Sequence, residues 1–342
     1  MSIHWLLEII AGKRNGPLAA ALRFLLWCLT PIYRFVVWNR NRQFDSGSRE
    51  IGSVDAKVIS IGNITTGGTG KTPMVIWICE FLHRKQATAA IVSRGYGSKN
   101  GLPNDEALEL AARLPGVPHV QNPDRVAAAK QCVNENSVDV IVLDDGFQHR
   151  RLNRDLDIVL IDASNPFGYG YLIPRGLLRE PVTSLKRADA IVVTRCDRVD
   201  VKKLESVRTQ IERATSAPIA FARTKATMLI QSDGTEHSIA EFESENWFAF
   251  SAIGNPAAFE SLLSALEFNI VESMRFRDHH HFDESELQQI ASAAKQAGAQ
   301  RMVCTHKDLV KLDVTEIDGI ALFALRIDME IFEGRERLEE LL

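Results

Sequence analysis

Along most of this chain, short β-branched runs bounded by turn residues alternate with longer stretches in which apolar residues recur at helical spacing. That is the pattern of a parallel sheet flanked by helices. The clearest instance begins at Lys57, where Val58, Ile59 and Ile61 predict a buried strand; a glycine-rich turn follows, then a helix carrying Met74 to Leu82. Further strands are predicted at 88–93, 117–121, 138–143, 156–162 and 191–194, with helices over 107–114 and from Asn122-Pro123-Asp124-Arg125 onward. Near residue 224 the texture changes. Strands at 226–231 and 247–251 bracket an acidic, loop-like stretch, 232–246, which reads as a linker or hinge. Beyond it come a helix at 256–266, a strand at 269–276, a helix at 284–297 and strands near Met302 and Ala321. At 342 residues, two α/β units are the natural expectation. The expected division is 1–50, a helical segment; 51–224, a larger α/β domain; and 225–342, a smaller one.

The first 50 residues follow a different pattern. Trp5 to Ile10 is apolar, the chain breaks between Gly12 and Pro17, and a second apolar run, Leu18 to Trp38, is interrupted by Arg23, Pro31 and Arg34. A spanning helix wants about 20 uninterrupted apolar residues, so the arginines and the mid-run proline argue against one. No small-residue cleavage site of signal-peptide type follows. Trp27, Tyr33 and Trp38 beside arginines fit a segment lying in a membrane interface against anionic headgroups; a helix packed on the core is the plainer alternative.

Composition is ordinary for a globular protein, 45% hydrophobic and 25% charged, with a formal net charge of −4. The charge is uneven: residues 1–50 hold seven Lys and Arg against three Asp and Glu, so basic charge gathers where the chain is most apolar. The five cysteines, at 28, 79, 132, 196 and 304, show no ligand spacing, which argues against a zinc site or disulfide framework and points to a reducing compartment.

The chemistry concentrates at the turn after the first strand. Thr65-Thr66-Gly67-Gly68-Thr69-Gly70-Lys71-Thr72 lies between strand and helix, as a phosphate-binding loop must. Gly67, Gly68 and Gly70 are expected to adopt positive φ and turn backbone N–H groups inward at a helix N-terminus, forming an anion cradle. Lys71 can reach the β- and γ-phosphates and the Thr72 hydroxyl can ligate Mg²⁺. Thr65 stands where the strict pattern has glycine. Asp144-Asp145-Gly146 ends the strand at 138–143, and strand C-termini form the ligand edge of a parallel sheet, so either carboxylate can reach the metal directly or through water.

Other polar clusters admit two readings. Asn104-Asp105-Glu106 opens a helix, where capping and dipole compensation alone would explain it. Asp278-His279-His280-His281 lies in a turn; neighbouring residues of an extended chain point to opposite faces, so the three histidines cannot share one metal ion, and a histidine acting on a proton competes with a mere polar turn. The long loop 165–179 is of functional length. Thr194-Arg195-Cys196-Asp197 is reminiscent of a base-reading segment, with Arg195 departing from that pattern.

Taken together, Gly62-Asn63 through Pro73, Ser93-Arg94-Gly95-Tyr96-Gly97, Asn104-Asp105-Glu106, Asp144 through His149, Pro174 through Pro181 and Asp278-His279-His280 resemble the tetraacyldisaccharide 4′-kinase family, which phosphorylates the lipid A precursor. The resemblance spans nearly the whole chain, and Thr65 looks like the family's own usage. Ala107 and His306 depart from it, standing where the family often has proline and an acid. It implies a P-loop NTPase-like α/β fold, ATP and Mg²⁺, and a membrane-bound disaccharide lipid as acceptor at the cytoplasmic face of a Gram-negative inner membrane. It implies no nucleic acid and no obligatory protein partner.

The resemblance also implies roles. Asp105 becomes the base for the sugar hydroxyl, oriented by His279, and these two are expected in different domains, so that closure assembles the site. Lys71 and the loop amides stabilise the phosphoryl group, and Thr72 and Asp145, with Asp144 and Glu106 nearby, hold Mg²⁺. Arg94, Arg125 and Arg179 become candidates to meet the acceptor's existing phosphate, with Gln148 and His149 as further substrate contacts. Each arginine equally fits an ion-pair role.

Overall fold

A computed structural model describes residues 3–95, 105–242, 244–278 and 280–342. In chain order the elements are α1 (Ile3–Ile10), α2 (Pro17–Asp45), β1 (Lys57–Asn63), α3 (Lys71–Arg84), β2 (Ala89–Ser93), α4 (Asp105–Arg113), β3 (His119–Gln121), α5 (Arg125–Asn136), β4 (Val140–Asp144), β5 (Leu156–Asp162), β6 (Ala190–Thr194), α6 (Val201–Glu212) and β7 (Ile219–Ile230). There follow β8 (Glu236–His237), β9 (Asn246–Ser251), α7 (Pro256–Ala265), β10 (Asn269–Arg275), α8 (Glu284–Gln296), β11 (Arg301–Thr305), α9 (His306–Leu312), β12 (Glu316–Ile317), β13 (Ile320–Glu333) and α10 (Arg335–Glu339).

The chain forms two compact units. Met1–Arg94, Gly116–Thr224 and Met329–Leu342 make the first; Gly95–Pro115 and Lys225–Asp328 make the second. Two segments therefore depart from the expected division: 95–115 belongs with the second unit, and 329–342 with the first. The stretch 232–246, expected to be a linker, carries β8 and a 3₁₀ turn, Ile239–Phe242, within the second unit.

In the first unit, β3, β2, β4, β1, β5, β6 and the start of β7 lie side by side and parallel. Their continuous apolar runs explain the arrangement: β4, β5 and β6 are buried at every position, as strands covered on both faces must be. Ile61 pairs with Asp144 and Asn63 with Leu160, so the carboxyl ends of β1 and β4 finish beside each other. Helix α6 escapes the sequence reading because only Val207 and Ile211 of its face are buried. The 165–179 loop is partly core, with Leu172 and Leu178 buried in the cluster that holds Phe147, Ile161 and Val193.

In the second unit, β10, β9, β11 and β13 run parallel, with β12 antiparallel to β13. Helix α8 buries Ile290, Ala291 and Ala294 in one core cluster, while α7 buries Phe259 and Leu263 in another. A full capping box, Asp283 with Glu286, starts α8.

Helix α2 runs unbroken through Pro31, which interrupts the apolar run and not the helix. By length and composition it suffices to cross a membrane, so proline and arginine do not exclude that. One stripe of it docks on the first unit: Tyr33, Val37, Arg40, Asn41 and Phe44 recur at helical spacing, with Val37 and Phe44 buried and Tyr33 packed on the core. Elsewhere Phe24, Leu25, Trp27, Ile32, Phe35 and Trp38 stay exposed. Core packing thus explains one stripe of the helix and leaves its aromatic face open.

Gly62 sits where β1 meets the turn after β4. A Cβ added there would lie 2.5 Å from Phe147 Cβ and 2.6 Å from the Phe147 backbone nitrogen. Gly62→Ala must therefore push backbone aside, and we expect it to lower stability by about 1–3 kcal/mol. An unchanged thermal midpoint would contradict this packing.

Candidate active site

The turn after β1 is built by hydrogen bonds on both sides. Thr65 forms an antiparallel bridge with Leu178, the Thr66 backbone N–H donates to the Leu177 carbonyl (2.8 Å), and the Arg179 N–H donates to the Ile64 carbonyl (2.7 Å). Thr66, assigned to the cofactor from the sequence, has its backbone N–H committed to Leu177, so any contact it makes comes from its other atoms. The departure at Thr65 has a local reason, since the residue is buried and extended in this bridge.

Gly67 and Gly70 adopt positive φ (109° and 86°), and Gly70 caps α3 in the left-handed conformation. Gly68 does not, which corrects the expectation for it. Thr69 is pinned twice: the Asn63 side-chain amide donates to its hydroxyl (2.9 Å), and the Thr194 hydroxyl donates to its carbonyl (2.8 Å). Neither Asn63 nor Thr194 was assigned this role from the sequence. Asp197 accepts from the Thr224 N–H (3.0 Å) and Arg195 is ion-paired with Asp162, so the segment once compared to a base reader is engaged in protein contacts.

Asp145, at the end of β4, takes a left-handed conformation (φ 52°) that short polar side chains tolerate. Its carboxylate lies 3.5 Å from Lys71 Nζ and accepts from Arg179 Nη1 with both oxygens, at 2.9 and 3.0 Å. Burial alone raises the pKa of this carboxyl; Lys71, Arg179 and Arg125 outweigh it and hold it below the ordinary value. Gln148 completes the constellation, accepting from Arg179 (3.2 Å) and donating to the Asn63 carbonyl (2.8 Å). The structure thus gathers Lys71, Thr72, Asp144, Asp145, Gln148 and Arg179 at the carboxyl ends of β1 and β4.

The arginines divide. Arg179 grips Asp145. Arg125 is buried at the start of α5, its guanidinium reaching the Asp144 and Asp145 carbonyls at 3.5 and 3.4 Å, which places it under the carboxylate turn as a support. Arg94 is exposed. His149 is held uncharged: burial, with Arg125, Arg151 and Arg154, pushes its pKa down to about 4.

Asp105 and Glu106 belong to the second unit, as the first residues of α4. Asp105 is buried, with Lys311 Nζ at 3.4 Å and Lys307 Nζ at 3.9 Å. Lys311 also meets Asp308 (3.3 Å), whose other oxygen accepts from the Thr305 hydroxyl (2.6 Å) and the Ala252 N–H (3.1 Å). Lys307 reaches Asp278 at 3.4 Å. Residue 105 and the 278 turn therefore share one unit, and no closure between domains is needed to join them. His279 lies outside the described residues. His280 is engaged with Glu286 (2.8 Å) between Phe276 and Phe282, a structural use of one of the three histidines. The two lysines went unrecognised; their signal was Lys307 and Lys311 flanking Asp308 on one short helix. Among the described residues no three His, Cys, Asp or Glu side chains converge as a metal cage; Thr72 and Asp145 are hard oxygen donors of the kind Mg²⁺ takes beside phosphate.

A parallel sheet with a glycine turn, a lysine and a carboxylate at adjoining strand ends defines an α/β nucleotide-binding protein of the phosphate-loop class. A family model described as tetraacyldisaccharide-1-P 4′-kinase matches residues 22–342, so the chain belongs to that family. A tetraacyldisaccharide 4′-kinase from Anaeromyxobacter dehalogenans (strain 2CP-1) is 36% identical, covering 96% of this chain and 91% of the relative. One from Syntrophus aciditrophicus is also 36% identical, over 93% and 91%. A crystal structure of LpxK from Aquifex aeolicus in complex with ATP matches with a TM-score of 0.76 at 29% identity, covering 94% of this chain and 98% of that one.

His119 is pushed down to about 4 by burial, as His149 is. In the unfolded chain both imidazoles titrate near ~6.5. As pH falls from there toward 4 the unfolded state binds protons that the folded state refuses, so stability is lost across that window. Ring-proton NMR is expected to show neither histidine titrating above pH ~5; a midpoint near ~6.5 for either would contradict the burial.

Proposed function

We propose that the chain transfers the γ-phosphoryl group of ATP to the 4′-hydroxyl of a tetraacyl glucosamine disaccharide 1-phosphate, a step of lipid A biosynthesis. The observation that carries this reading is the Lys71–Asp145–Arg179 constellation at adjoining strand ends, in a chain that belongs to the tetraacyldisaccharide-1-P 4′-kinase family.

The backbone of 67–72 binds the triphosphate tail, and Lys71 stabilises charge on the transferred group. Thr72 and Asp145, with Asp144, are the residues that would hold Mg²⁺, which neutralises phosphate oxygens when bound; Glu106, assigned to the metal from the sequence, belongs to the second unit. Asp105 accepts the proton of the acceptor hydroxyl; that oxygen bonds to the γ-phosphorus while the bond to the bridging oxygen of ADP breaks. Lys311 and Lys307 hold the Asp105 carboxylate in place. His279 is assigned as its orienter. Arg94 and His149 remain assigned to the acceptor, His149 as a neutral hydrogen-bonding group because its charge is suppressed. Arg125 and Arg179, assigned to the acceptor's phosphate from the sequence, contact the carboxylate turn in this structure.

The aromatic face of α2 and the basic charge of the first 50 residues support peripheral attachment to an anionic bilayer, on the cytoplasmic face of the inner membrane, where the lipid acceptor resides.

Transfer of labelled γ-phosphate to the disaccharide lipid in mixed micelles tests the assignment. Lys71→Ala and Asp105→Asn are each expected to slow transfer by about 10²-fold or more while the chain stays folded. If both variants transfer as fast as the parent, the assignment is wrong.

A further inference from the structure

Glu180 is a fully buried carboxylate, and nothing in the reaction assigns it a part. A buried charge needs close partners to offset its lost hydration. Glu180 has three: Arg40 Nη2 at 2.9 Å, Asn41 Nδ2 at 2.9 Å and Arg187 Nη2 at 3.0 Å. Two of these come from the docked stripe of α2. A third tie from the same helix reaches the preceding residue, where the Tyr33 hydroxyl donates to the Arg179 carbonyl at 3.0 Å. Arg187 also lies over the Phe147 ring, 4.4 Å from its centroid, beside the turn that carries Asp145.

The dipeptide Arg179-Glu180 is thus bonded in two directions. Its carboxylate and one carbonyl face α2; its guanidinium grips both oxygens of Asp145, and its Arg179 N–H holds the Ile64 carbonyl just ahead of the glycine cradle. The bonds to Arg179 fix how the Asp145 carboxylate is turned, so swinging it toward a metal-bound triphosphate weakens that grip. A shift of α2 must either break two charge-assisted bonds at Glu180 or carry residues 179–180 with it, which loosens the grip on Asp145.

We infer that Glu180 is a positioning residue that couples α2 to the phosphate site, so that engagement of α2 by a bilayer releases Asp145 and tightens nucleotide binding. The inference rests on the reading that α2 meets the membrane. It gives the enzyme a physical reason to hold ATP productively where its acceptor is and weakly elsewhere. By linkage the effect is reciprocal: nucleotide must strengthen membrane binding by the same factor.

The test uses the full chain, a fluorescent slowly hydrolysed ATP analogue with Mg²⁺, and acceptor-free vesicles of anionic phospholipid, with cosedimentation measured alongside. Vesicles are expected to tighten analogue binding by the parent about fivefold, and the analogue to tighten vesicle binding equally. Glu180→Gln, which keeps the shape and removes the charge, is expected to cosediment like the parent and to respond by less than about twofold. Tyr33→Phe removes one hydroxyl and no charge; its reduced response is the readout should Glu180→Gln fail to fold. The coupling is overturned if vesicles that the parent binds leave its analogue affinity unchanged or weaker. It is also overturned if the folded variants respond as fully as the parent. A parent that does not cosediment at all would sink the membrane reading itself, and the coupling with it.

Discussion

The site depends on how closely two backbone segments approach. The end of β1 and the turn after β4 touch main chain to main chain: the Gly146 N–H donates to the Ile61 carbonyl at 2.9 Å, and Gly62 lies where any Cβ would strike Phe147. A Cβ on Gly146 would likewise fall 2.8 Å from Leu143 Cδ2 and against the Ser60 hydroxyl. Only glycine fits at both positions. Because they are glycine, the carboxylate at 145 and the lysine at 71 come within 3.5 Å, although 74 residues separate them in sequence. The pairing of Ile61 with Asp144 fixes the register, and a slip by one residue would turn every side chain of β4 to the other face.

Around that approach the charges are arranged in layers. Asp145 is the anionic centre, with Lys71 and Arg179 on it and Arg125 beneath its main chain. Arg179 is in turn fixed by its backbone to Ile64 and by its neighbour Glu180 to α2. The second unit has its own charged centre, where Lys311 bridges Asp105 and Asp308 although its side chain is almost wholly buried. A lysine ammonium so enclosed is sustained by the two carboxylates it meets. This explains why a seven-residue helix, α9, carries so much charge inside a fold that otherwise buries apolar groups.

How much of this was legible in the sequence depended on whether local spacing carried the information. The strand–glycine–helix passage at 57–84 was readable because β-branched residues, positive-φ glycines and a helical apolar repeat follow one another without a gap. The carboxylates at 144–145 were readable because they end an apolar run. For Arg125 and Arg179 the sequence left two roles open, because an arginine that meets substrate and one that braces a carboxylate look alike until the partner across the sheet is known. The same holds for 95–115, since membership of the second unit is set by long-range packing of α4 on α9. Pro31 counted in the sequence against a spanning helix, yet a proline cost of about 3 kcal/mol can be absorbed by a long helix held elsewhere by Val37, Arg40 and Phe44. Gly68 was misread for a simpler reason: adjacent glycines do not all need the conformation that glycine alone permits.

The most direct measurement is a crystal structure of this chain grown with Mg²⁺ and a non-hydrolysable ATP analogue. The account predicts the β-phosphate oxygens at about 3 Å from backbone nitrogens within 68–72, with Lys71 on the γ-phosphate and Asp145 released from Arg179. Phosphates bound elsewhere, with the glycine turn and its 177–179 bridge empty beside them, would contradict it.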